Sequence, residues 1–196
     1  MALFSLQELD IANDPYILLI KNRVMEKVNG LMGELEKEIH QLLQNEGLNL
    51  PEEINTLHGK ISKGENYKHL PYMMLDYPAY FTKQDIFAFR SMFYWGHFIS
   101  FTIHLQGKYN DRYGLRLIDE FSETEEVYFC VNSNPWEYIY HPNNYQLITE
   151  LGKKRMIHHH KENGFIKLSI CFPISSLPDA PQLINPFFKE IIQAIL

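Results

Sequence analysis

The sequence predicts an α+β domain, with a mostly antiparallel, curved sheet and a long N-terminal helix and a C-terminal helix packed on it. Three observations carry this. Apolar residues recur at spacings of three and four over residues 15–45. They alternate with a period of two through 86–105 and again through 166–174. A second apolar helical stripe closes the chain after residue 185. The 196 residues are read as one domain, 1–196, long enough to bury its own core.

The first helix is expected over residues 15–45. Val24, Val28, Leu31, Leu35, Ile39 and Leu42 form its stripe, with Asp14 as N-cap, Pro15 at the first helical position and Gly47 as C-cap. "YMMLDYP" reads as a short strand ended by Pro78, which cannot donate to a ladder. Residues 86–95 carry both a helical start signal, Thr82 with Asp85, and a strand period in Phe87, Phe89 and Phe93. The weight of aromatic residues favours the strand. Ile99, Phe101, Ile103 and Leu105 alternate with Ser100, Thr102 and His104, so 98–105 is a second strand, with Gly96 at the turn or bulge between the two.

"GKYNDRYG" (107–114) reads as a loop, "LRLIDEF" and "EVYFCV" as short strands, and 144–151 as a short helix. Asn163-Gly164 between "KRMIHHHK" and "FIKLSICF" is a hairpin turn signature, which makes both flanks strands. Asn185-Pro186 reads as the cap and first position of the C-terminal helix, carrying Phe187, Phe188, Ile191, Ile192 and Ile195.

Composition narrows the function. Lys and Arg total 18 against 24 Asp and Glu, a net charge of −6. A nucleic-acid partner is not expected, because phosphate binding needs a basic surface. No apolar run reaches the ~18 residues that span a bilayer, so no membrane role is expected. The opening "MALFSLQELD" turns acidic at once, and Cys130 and Cys171 sit in apolar runs as buried, reduced thiols. Together these predict a cytoplasmic protein.

Two groups of residues suit chemistry. His158, His159 and His160 are consecutive. On a strand the outer two share a face and need a third ligand from elsewhere to hold a metal, so no metal site is assigned. Arg90, His97, Ser100, Thr102 and His104 cluster in the 86–105 hairpin, and Asp76 and Tyr72 belong to the strand before it. An arginine and a histidine meeting on one sheet face suit a carboxylate or phosphate. No nucleophile elbow, phosphate loop or dinucleotide fingerprint is present.

The segment Tyr67-Lys68-His69-Leu70-Pro71, following a long amphipathic helix and entering an aromatic strand run, resembles the YktB-like group of bacterial proteins over about a quarter of the chain. The resemblance implies an α+β sandwich and no particular activity.

The leading expectation is a binding protein for a small apolar or aromatic anionic ligand, in a sheet-helix cleft lined by Tyr67, Tyr72, Arg90, Trp95, His97 and His104. No cofactor is assigned. Two alternatives compete: an enzyme using His and Asp as acid and base, metal-assisted through His158 or His160, and a homodimeric interaction protein built on the two terminal helices.

Overall fold

A computed structural model of the chain describes residues 3–45 and 50–196. Among them six α-helices and seven strands form an α+β fold. The order is α1 (Leu6–Asn13), α2 (Pro15–Asn45), β1 (Lys60–Tyr67), β2 (Leu70–Phe81), β3 (Ile86–Tyr94), β4 (Phe98–Gln106), α3 (Lys108–Phe121), β5 (Tyr128–Cys130), β6 (Tyr145–Leu147), α4 (Ile148–Leu151), α5 (Lys153–Asn163), β7 (Phe165–Pro173), a 3-10 turn (Ile174–Asp179) and α6 (Ala180–Ile195). The strands make one sheet in the order β1-β2-β3-β4-β7-β5-β6, with every pairing antiparallel.

The period-two residues separate the faces. Leu75, Phe87, Phe89, Phe101, Ile103, Ile166 and Leu168 lie on the face that joins the main core with α2, α3, α5 and α6. From α2 the core receives Val28, Met32, Leu35, Ile39 and Leu43, a regular stripe. From α6 it receives Ile184, Phe187, Phe188, Ile191, Ile192 and Ile195. Phe89 meets Phe188 edge to face at a centroid distance of 4.8 Å. Among the described residues no helix lies across the opposite face. The segment from Asn132 to Asn144, between β5 and β6, lies over it.

Both 86–95 and 98–105 are strands, joined at Gly96 with φ 72°. The Thr82 and Asp85 signal belongs to a hairpin turn instead of a helix cap. The Asp85 N–H donates to Thr82 Oγ1 at 2.8 Å, and the Thr82 N–H donates to the Asp85 carbonyl at 2.9 Å.

Five expectations are corrected. Pro78 does not end its strand: β2 runs on to Phe81, and the proline sits in the register shift between Asp76 and Ala79, where no ladder bond is asked of it. Residues 108–121 are helix α3, not loop and strand. Tyr109, Tyr113, Leu117 and Phe121 repeat every four residues and are all buried. Residues 153–163 are helix α5, and Asn163-Gly164 is its end, with Gly164 in the left-handed region at φ 66°, ψ 15°. A residue of that conformation serves a helix C-terminus as well as a hairpin, so the dipeptide does not distinguish them. The C-terminal helix opens at Ala180, which puts Asn185-Pro186 inside it. The short helix expected over 144–151 is strand β6 followed by the single turn α4. The expected cap Gly47 lies outside the described residues.

Candidate functional site

The helix-free face carries an unusual load. In strand order it presents Asp76, then Arg90, then Thr102 and His104, then Lys167 and Ser169, through the pairs Asp76↔Arg90, Arg90↔Thr102, Thr102↔Ser169 and His104↔Lys167. All six are buried, with Lys167 and Ser169 fully so. Three tyrosines, Tyr138, Tyr140 and Tyr145, come down on them from the covering segment and its following strand.

Each polar group has a definable state. Arg90 closes a bidentate pair on Asp76, with Nε to Oδ1 at 2.7 Å and Nη2 to Oδ2 at 2.9 Å. Lys167 has no carboxylate partner of this kind. Its ammonium donates to the carbonyls of Pro135 (2.9 Å) and Glu137 (2.6 Å). It also stands 4.1 Å from the Tyr138 ring centroid. Arg90 reaches the same ring, with Cζ at 4.8 Å. One tyrosine ring therefore meets two buried cations, an arrangement favoured by the negative π face. Burial brings Lys167 down to about 8, with Arg90 adding to the effect. Burial first, and then Lys167 and Arg90, hold His104 neutral, well below its ordinary value. Burial pushes Tyr138 up to about 12.

Ser169 organises the next row. Its hydroxyl donates to the Phe101 carbonyl at 3.0 Å, so it accepts from Thr102 Oγ1 at 2.6 Å and from the Tyr140 hydroxyl. Two polar atoms in the cluster are left over. His104 Nε2 and the Tyr145 hydroxyl are buried and have no hydrogen-bond partner. Unsatisfied buried polar atoms are rare in folded proteins.

The covering segment is attached at both sides of Lys167. At the outer sheet end the Tyr67 hydroxyl donates to the Glu137 carboxylate and accepts the Tyr138 N–H at 2.8 Å, while Lys68 pairs with Glu137 at 3.0 Å. Trp136 rests its ring edge-on to His104 at 5.6 Å and is half exposed. At the Ile139 and Tyr140 end a cavity of about 270 Å³ opens, lined also by His97, Phe98 and Cys171.

Of the six expected site residues, Arg90 and His104 lie on one face as the reading required. Tyr67 and Tyr72 join that face in a tyrosine cluster with Tyr94, and His97 stacks on Tyr94 at 4.6 Å and lines the small cavity. Trp95 does not belong. It packs on Phe93 against the main core, on the other side of the sheet. The cleft is also not between sheet and helix, since a loop covers this face. Sequence reasoning did not single out Lys167, Tyr138, Tyr140 and Tyr145, which the fold brings into this cluster. For Lys167 a signal exists: it is the one charged residue in an otherwise apolar or small strand, "FIKLSICF".

The histidine run makes no metal pair. On helix α5 successive residues turn by about 100°. His158 faces solvent beside Glu162 at 3.3 Å, His159 bonds the Asn132 carbonyl at 3.1 Å, and His160 Nδ1 bonds Asn110 Oδ1 at 2.8 Å. No group of three His, Cys, Asp or Glu is placed to hold a metal among the described residues. No helix among them is long and apolar enough to cross a membrane.

Comparison with family models, with curated proteins and with solved structures gives no match for this chain.

Proposed function

We propose that the protein binds a small anionic molecule with an aromatic or apolar body on the helix-free sheet face, beneath the segment Asn132–Asn144 acting as a flap. The carrying observation is the Tyr138 ring held against both Arg90 and Lys167. It occupies the place that a ligand's ring would take. A carboxylate or phosphate on that ligand would find the Lys167 ammonium, which lies against neutral carbonyls, and donors in His104 and Tyr145 that are otherwise unpaired. Opening the flap exchanges two carbonyl acceptors on Lys167 for one charged acceptor, a gain in hydrogen-bond strength.

The test uses Trp136 as reporter in a Trp95→Phe background. Benzoate, phenyl phosphate and inorganic phosphate are titrated separately. A saturable change in Trp136 emission with either aromatic anion, absent in Lys167→Met, supports the reading. No response to any of the three, with no rise in melting temperature, overturns it.

Both cysteines are free thiols, which suits a reducing compartment and a cytoplasmic setting. Self-association, the remaining expectation, requires a different surface from the C-terminal helix, because Phe187, Ile191 and Ile195 are all consumed by the core.

A further inference from the structure

Among the described residues, exposed large apolar side chains concentrate in α1 and the start of α2. Ten large apolar side chains between Leu3 and Ile20 are exposed, Leu6 at 82% and Leu18 at 62% among them. Helix α1 buries none of its residues, and α2 buries none before Val28. Val24 and Met25 are the first α2 residues to pack against the core, so at 1.5 Å per residue the nine before them extend roughly 14 Å past it. Tyr16 to Ile20 are five consecutive apolar residues, so they cover the whole circumference of the helix. A helix that is apolar all round belongs inside something.

We propose that this N-terminal arm is the dimerisation element of the protein, α1 and the start of α2 packing against the same two segments of a second copy. The area suits this occupant. Taking each exposed side chain at about half its full area gives roughly 1,000 Å² per arm, and two facing arms reach about 2,000 Å², the span of a stable dimer interface. A two-fold pairing of like arms would let α1 and α2 of each copy cover the apolar turn of α2 in the other. Charge disfavours an anionic bilayer as the occupant. Residues 1–20 contain Glu8, Asp10 and Asp14 and no Lys or Arg, whereas helices that lie on anionic lipid carry basic polar faces.

The test is the solution mass of the full chain by sedimentation equilibrium at micromolar concentration. The wild type is expected at twice the 23.2 kDa chain mass. The double variant Leu9→Glu, Leu18→Glu is expected at the single-chain mass, with unchanged far-ultraviolet circular dichroism, since neither side chain is buried in the single copy. Leu57→Glu, 74% exposed and away from the arm, is the control and stays dimeric. A monomeric wild type overturns the proposal, as does a dimer that survives the double substitution. So does co-sedimentation of a monomeric wild type with phosphatidylcholine–phosphatidylserine vesicles.

Discussion

Asp76 and Arg90 face each other across the β2–β3 ladder and form the one buried bidentate ion pair among the described residues, at 2.7 and 2.9 Å. The pair fixes the Arg90 guanidinium over the Tyr138 ring. Removing one partner leaves the other as an uncompensated buried charge. Asp76→Ala is therefore expected to cost about 3–5 kcal/mol. The double variant Asp76→Leu, Arg90→Met should lose much less than the sum of the singles, and urea denaturation of the set of four proteins measures the coupling.

Lys167 sets a pH dependence. Its folded pKa, about 8, lies below the ordinary 10.5. Between these values the unfolded chain holds a proton that the fold has released. Burying the ammonium thus costs stability below pH 8, and the cost is relieved as pH rises toward 10.5. Lys167→Met has no such term. Over about two pH units above 8 the wild type should gain about 2 kcal/mol on the variant in denaturant titrations. The comparison is best stopped near pH 10, above which Tyr138, raised to about 12, contributes in the opposite direction.

His104 acts at the acid side. Burial holds its pKa well below 6.5. As pH falls through 6.5 the unfolded chain takes up a proton that the folded protein refuses, so stability declines. His104→Gln should flatten the stability profile between about pH 5 and 6.5. Some slope should persist, because His159 and His160 are lowered by burial in the same sense.

Gly114 in α3 is a packing position. A Cβ there would come within 2.8 Å of both Asn110 Oδ1 and His160 Nδ1, the two atoms that join α3 to α5. Alanine normally favours a helix over glycine by about 1 kcal/mol. Here Gly114→Ala should instead destabilise by about 1–3 kcal/mol through overpacking and loss of that bond. Thermal unfolding reads the sign directly.

How far the sequence could be read depended on the kind of signal. The α2 stripe and the alternation of β3, β4 and β7 were plain, because each repeats over many residues with one dominant period. Helices α3 and α5 were not, because their polar residues and the Asn163-Gly164 step also fit loops and hairpins. Placing α5 as a helix then changed the meaning of His158 to His160, which point to three different partners. Arg90 and His104 could be placed on one sheet face because both sit in long alternating runs. Lys167 carried a weaker mark, a lone charge in an apolar strand. Tyr138 carried none, since its segment, "NSNPWEYIYHPNNY", has no period that says which way a ring points.

By itself the sequence determined the α+β class, the antiparallel central strands and the apolar faces that meet α2 and α6. These follow from local periodicity and the burial it demands. Only the tertiary structure decided what covers the other sheet face. Asp76, Arg90, His104 and Lys167 come from four strands, and they share a face because of pairing register, which no local pattern contains. The same holds for the covering segment Asn132–Asn144. Lys167 binds the carbonyls of Pro135 and Glu137 from 30 or more positions away, and it is this long-range closure that buries the polar strand face.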